Sequence, residues 1–277
     1  YVLNQKVVVE SGATLTIEPG TIIKGTPGTG SLASALIIAR GGKINAAGTA
    51  SSPIIFTSTS DNIEIGQTAG TNLGINNRGL WGGLIILGNA PCSFSGDVTE
   101  LQIEGIPADD TFGLYGGSTA DDNSGVLQYV SIRHGGALIG EGNEINGLTL
   151  GGVGTGTVIN NIEVVANVDD GVEFFGGTVN ASNLLVWGQG DDALDIDQAY
   201  SGTIDNAVVV LNPISDHALE IDGPEGTLNG TCTLENLTLI GNGDVNSEYA
   251  DYRSNAQAIT NNVYAYGFGD SADVELD

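Results

Sequence analysis

The chain has 277 residues, 34 Asp and Glu against 7 Lys and Arg, and a formal net charge of −27 at neutral pH. With so few cations it cannot form the basic footprint that nucleic acid requires, an anionic membrane surface is disfavoured, and an acidic polysaccharide could bind only through bridging cations. Apolar residues make up 40% of the chain, enough for a core, and no apolar run approaches the roughly 18 residues of a membrane span.

The predicted elements are short. Val7-Val8-Val9, Thr14-Leu15-Thr16-Ile17, Ala35-Leu36-Ile37-Ile38, Ile54-Ile55-Phe56, Gly83-Leu84-Ile85-Ile86 and Tyr129-Val130-Ser131-Ile132 read as strands, punctuated by Gly, Asn and Asp. No stretch of 12 or more residues has a helical period. Segments near 58–79, 88–125, 134–146 and 241–257 lack aliphatic alternation and read as loops thrown out from the repeating part. No signal peptide is seen, so the sequence reads as a mature or trimmed fragment.

From residue 156 a second pattern recurs: Gly156-Thr157-Val158-Ile159-Asn160-Asn161-Ile162, then its counterparts from Gly177, Gly202 and Gly230. Between these copies stand three acidic blocks, Asp169-Asp170-Gly171-Val172-Glu173-Phe174, Asp191-Asp192-Ala193-Leu194-Asp195-Ile196 and Asp216-His217-Ala218-Leu219-Glu220-Ile221, spaced 22 and then 25 residues apart. A period in the twenties marks a solenoid with one repeat per rung, and short parallel strands with Asn corners define a parallel β-helix. Asn tolerates the left-handed conformation of a sharp bend and can hydrogen-bond along a stack. Alternation turns Val172, Leu194 and Leu219 inward, with Phe174, Ile196 and Ile221; Glu173, Asp195 and Glu220 then form an outward column. Asp197 and Asp222 form a second column, and Asp170, Asp192 and His217 align at the preceding corner. Cys92 and Cys232, 140 residues apart, are expected as separate thiols, because rungs touch mainly their neighbours.

The string Gly12-Ala13-Thr14-Leu15-Thr16-Ile17-Glu18-Pro19-Gly20-Thr21-Ile22-Ile23-Lys24, with Ala35–Ile44, Gly79–Gly88 and Asp170–Gly177, resembles a family of right-handed β-helix proteins from the surface of Bacteroidetes and some marine proteobacteria. The resemblance covers nearly the whole chain. It implies the fold and an extracellular or surface location, secreted or lipid-anchored, and no established activity.

Two enzymatic readings use the acidic blocks. Gly190-Asp191-Asp192 is similar to the paired aspartates of polygalacturonase-like hydrolases, which assigns chemistry to Asp191, Asp192, Asp195 and Asp216, with His217 as proton donor. Their Arg-x-Lys element is missing here, and His134 stands in Arg133-His134-Gly135-Gly136. A lyase would need Tyr200 or His217 as base. Beyond Lys43, the cations Arg78, Arg133 and Arg253 all lie outside the acidic blocks. Two non-enzymatic readings compete for the same residues. Asp169, Asp170, Glu173, Asp191, Asp192, Asp195 and Glu220 form a candidate Ca²⁺ site, against simple solvated charge. Trp187 and Tyr200, with Asp197 and Asp222, form a candidate sugar platform alongside Phe175, Tyr264 and Tyr266, against packing of these rings in the core. Trp81 reads as core or corner packing.

The expectation is therefore one right-handed parallel β-helix over 1–277, exported and non-enzymatic, serving adhesion or glycan binding with a polysaccharide or cell-surface partner. The alternatives are a polysaccharide hydrolase or lyase using 169–222, and a self-associating subunit of an extracellular filament.

Overall fold

A computed structural model describes residues 1–107, 110–138, 145–243 and 247–276. Among these the only helical segments are two single 3₁₀ turns, Gly30–Leu32 and Ser95–Asp97; the rest is strand, turn and loop. The chain winds as a right-handed parallel β-helix of three faces. Thr14–Ile17 and Lys43–Ala47 begin the first face, Ile22–Gly25 and Ile54–Ser58 the second, and Lys6–Val9, Ala35–Ile38 and Leu84–Leu87 the third. Gly125–Arg133 pairs with both Lys43–Ala47 and Ile54–Ser58, so from there on the first two faces belong to one bent strand. Val158–Val165, Ala181–Trp187, Thr203–Val210, Cys232–Ile240 and Ala258–Tyr266 repeat it. The third face continues through Leu148–Gly151, Val172–Phe175, Leu194–Asp197, Leu219–Asp222, Ala250–Arg253 and Val274–Leu276.

The bend falls on Tyr129 and then on Asn161, Asn183, Asn206, Asn236 and Asn262, all with φ between +48° and +60°. Asn is suited to this because its short amide offsets part of the steric cost of a left-handed residue. Asn206 donates to Asn183 Oδ1 and Asn262 to Asn236 Oδ1, each at 2.6 Å. The corner thus uses its own side chains to tie rung to rung. Asn206→Ala is expected to cost about 1–2 kcal/mol in a urea melt, combining the left-handed penalty with the lost hydrogen bond. Asn206→Gly should cost less, since glycine carries no Cβ.

Inside, Leu148, Val172, Leu194 and Leu219 stack in register, as do Leu150, Phe174, Ile196 and Ile221. All are buried. Trp81 is buried as well, stacked on Phe56 with its ring N–H donating to the Arg133 carbonyl. Cys92 and Cys232 are separate free thiols, both buried.

Most of the 58–79 segment is exposed, as expected of a loop, but the 88–125 and 134–146 insertions pack partly onto the β-helix. Ala35, Ile37, Ile85 and Leu87 on the third face share a second apolar cluster with Phe94, Ile103, Ile106 and Tyr115 from the 88–125 segment and Ala137 and Ile145 from 134–146. These apolar side chains give the insertions something to bury, so they fold down as an outer layer. Gly176 shows how closely that layer approaches: its φ is +60° and a Cβ there would stand 2.7 Å from Cys92 Cβ. The 241–257 segment also differs from the expected loop, because Ala250–Arg253 is a third-face strand paired with Leu219–Asp222. Its Ala-Asp-Tyr-Arg sequence lacks the aliphatic pair that marks the earlier rungs. Residues 108–109, 139–144 and 244–246 of these segments lie outside the described residues.

Candidate functional site

One outward column of the third face runs Val8, Ile37, Ile85, Thr149, Glu173, Asp195, Glu220, Asp251 and Glu275, each paired in register with the next. It changes from aliphatic to carboxylate at Thr149. The expected register of Glu173, Asp195 and Glu220 is thus present, but these acids are not at the water surface: they are 4%, 8% and 7% exposed. The outer layer reaches the first of them. Asn146, the last residue of the 134–146 segment, donates its amide to Glu173.

At the preceding corner the side chains continue the ladder. Asp170 Oδ1 accepts the Asp192 backbone N–H at 2.9 Å, and Asp192 Oδ1 accepts the His217 backbone N–H at 2.7 Å. Glu248 does the same for Asp273 at 2.8 Å. Each acid therefore replaces a rung-to-rung backbone acceptor, which is a structural reason for acids at a corner.

The acids divide into two groups by their counter-charges. In the later rungs Arg253 meets Asp222 Oδ2 at 2.7 Å, Asp251 Oδ2 at 3.7 Å, and Glu220 in direct contact. His217 Nδ1 lies 2.9 Å from Asp192 Oδ1, 3.7 Å from Glu220 Oε2 and 4.0 Å from Asp216 Oδ2. Burial alone would lower the imidazole, but the hydrogen bond and charge of Asp192, helped by Asp216 and Asp251, hold it up at about 9. The expectation that no cation reaches the acidic rungs is corrected here: one long rung carries Arg253 back onto Glu220 and Asp222.

The earlier rungs have no such partner. No Lys, Arg or His pairs with Asp170, Glu173 or Asp195 among the described residues. Adjacent strands lie about 4.8 Å apart, where two full charges repel by roughly 3–4 kcal/mol at an effective dielectric near 20. Burial, then Asp195, Asp169 and Asp192, drive the Asp170 carboxyl well above the ordinary range. Burial, then Asp195 and Asp170, do so for Glu173, and burial, then Asp197, Asp192 and Asp222, for Asp195. Burial and then Asp222 lift Asp197 to about 7.

The seven candidate metal ligands fall into separate groups. Asp170, Glu173 and Asp195 have carboxylate oxygens within 4.8 Å of one another, as do Asp169, Asp170 and Asp191 at the corner. Asp192 and Glu220 gather instead around His217. Among the candidate catalytic residues, Asp192 and Asp216 flank His217, whereas Asp195 is buried in the ladder and Asp191 is exposed at the corner. With its proton held to about 9, His217 is a poor general base near neutrality, and Asp192 and Asp195 are buried.

Tyr200 is corrected from ligand to core residue. It is 1% exposed, packs on Phe174 with ring centroids 4.7 Å apart, and donates its hydroxyl to the Val179 carbonyl at 2.7 Å. Phe175 is buried in the outer cluster. Asp197 and Asp222 stay on the third face, while Trp187 stands on the second, so the expected aromatic–acid platform is not assembled. The exposed rings stand on another face. Arg133, Val165, Trp187, Val210, Ile240 and Tyr266 form one outward column, and Glu163, Leu185, Val208, Thr238 and Tyr264 another. Trp187, Tyr264 and Tyr266 are 45%, 64% and 67% exposed. The alternation of Leu185 with Trp187 and of Tyr264 with Tyr266 was a readable sign of this stripe. Asn146, Asp251 and Arg253 had no comparable sequence signal.

Fold and site define a parallel β-helix with a buried carboxylate ladder on one face. The chain belongs to the pectate-lyase-like β-helix domain family, whose model matches residues 1–277. No curated protein and no solved structure matched it. No helix among the described residues is long and apolar enough to cross a membrane.

Proposed function

We propose that this chain is a non-enzymatic module that works outside the cell, as an adhesion or glycan-binding scaffold whose partner is a neutral polysaccharide. The observation that carries the reading is the second-face stripe, where Trp187, Tyr264 and Tyr266 stand exposed in columns with Val165, Leu185, Val208 and Ile240 on a parallel sheet. An aromatic face offers a sugar ring an apolar surface, and a rigid sheet holds several such faces in fixed register. A net charge of −27 favours a neutral glycan over an acidic one. Membership in a pectate-lyase-like family supports a polysaccharide as the partner class.

The test is a pull-down on insoluble neutral polysaccharides, with products assayed in the supernatant. Retention without reducing ends or unsaturated products is expected, and Trp187→Ala with Tyr266→Ala should weaken it about tenfold. Products that vanish in Asp192→Ala or His217→Ala would establish the enzyme instead. No retention, with self-association seen by light scattering, would favour the filament subunit.

A further inference from the structure

We propose that Asp170, Glu173, Asp195 and the side-chain carbonyl of Asn146 form a calcium site on the third face, one that ties the end of the 134–146 insertion to the carboxylate ladder. The three carboxylates offer oxygens within 4.8 Å of one another. Two oxygens on one Ca²⁺ at about 2.4 Å can stand no farther apart than about 4.8 Å. A second observation points the same way. Asp195 Oδ1 and Asn146 Oδ1 are both buried and neither has a hydrogen-bond partner, although both residues are more than nine-tenths buried. The Asn146 side-chain N–H donates to Glu173, which holds this amide beside the cluster. A buried acceptor without a donor is costly, and a cation satisfies such an oxygen as well as a proton donor would.

The other half of the ladder identifies what is missing from this one. Glu220, Asp222 and Asp251 have Arg253, and Asp192 has His217. Asp170, Glu173 and Asp195 occupy the same kind of position one and two rungs earlier without a cationic side chain. Asp170 spends Oδ1 on the Asp192 N–H and keeps its other oxygen for an ion. The donor set is all oxygen, which selects a hard cation over zinc or copper. Among hard cations, Ca²⁺ accepts an irregular cage of protein oxygens, while Mg²⁺ sheds its water reluctantly. The site differs from the seven-residue ladder that the sequence suggests: Glu220 and Asp192 are excluded by Arg253 and His217, and Asn146 is included. It stands on a different face from the aromatic stripe, so this proposal and the glycan reading can fail independently.

The test uses the full chain, freed of metal with a chelator and passed into metal-free buffer at pH 7.5. Calorimetric titration with CaCl₂ should show one equivalent bound. The melting temperature should rise by about 5 °C or more at a hundredfold excess over Kd. Asn146→Ala should weaken binding, and Glu173→Gln with Asp195→Asn should abolish it. That double variant should melt no lower than wild type in chelator, because it removes buried like charges. Glu220→Gln should bind calcium as wild type does. The proposal is overturned if wild type gives no binding heat and the same melting curve with and without calcium, in which case shared protons account for the cluster. It is equally overturned if the double variant still binds, or if Mg²⁺ at equal concentration stabilises as much, since either result means diffuse screening. The wild-type measurement decides even if the double variant does not fold.

Discussion

Raising the pH from 5 to 8 in the presence of a chelator is expected to lower the melting temperature of this protein, opposite to the trend of a protein stabilised by ordinary ion pairs. Asp170, Glu173 and Asp195 have carboxyls held well above their ordinary values, first by burial and then by one another, and Asp197 is lifted to about 7 by burial and Asp222. A folded-state pKa above the unfolded one means that the native state binds the proton more tightly. The stability this contributes is full below the unfolded value near 4 and drains away as the pH rises through the folded value. For Asp197 the window is about 4 to 7, and raising that one carboxyl from 3.8 corresponds to roughly 4 kcal/mol. The other three carboxyls are shifted the same way and add to the loss. His217, held at about 9, acts in the same direction: its contribution is complete below about 6.5 and disappears as the pH passes 9. Scanning calorimetry at fixed ionic strength measures the trend. A melting temperature that climbs between pH 5 and 8 would mean that these acids are solvated and ionised in the native state.

The second large effect is expected from Arg253→Leu. This one guanidinium serves Glu220, Asp222 and Asp251. Removing one partner of a buried pair leaves an uncompensated charge and costs about 3–5 kcal/mol; because the Arg253 side chain is 41% exposed, about 2–4 kcal/mol is the expected loss in urea unfolding. Glu220→Gln in the Arg253→Leu background should recover part of it, since the amide no longer needs a counter-charge. Glu100→Gln, which removes the surface pair with Arg40, provides the scale for comparison and should change stability by less than about 1 kcal/mol. Equal effects from the two substitutions would mean that the ladder is as well screened by water as the Arg40 surface.

Much of the architecture was readable because a solenoid repeats itself. Val172, Leu194 and Leu219 recur at nearly constant spacing, alternation sends them to one side, and the strands pair residue for residue as that spacing requires. The Asn of each Gly-Thr copy was readable for the same reason, and it makes the left-handed bend. Tyr200 was misread because it stands just past a strand, where alternation no longer says which way a side chain points. Its ring found Phe174 and its hydroxyl found Val179 in the core. Arg253 was missed because its rung is lengthened by an insertion, which shifts Ala250–Arg253 off the period even though it keeps the register.

The sequence by itself determined the parallel β-helix, the inward stacks and the order of the carboxylates along their column, since each follows from local alternation and a fixed repeat. Tertiary structure alone decided that this column is buried. The 88–125 and 134–146 segments have no period of their own, and their place is set by Phe94, Ile103, Ile106, Tyr115 and Ile145 covering the aliphatic end of the third face. The acids farther along the same column are also withdrawn from water, and the few cations of the chain neutralise only the rungs they reach. Which carboxylates are balanced by Arg253 and His217, and which are left to one another, depends on contacts 25 to 33 residues apart across rungs of unequal length, which no local pattern encodes.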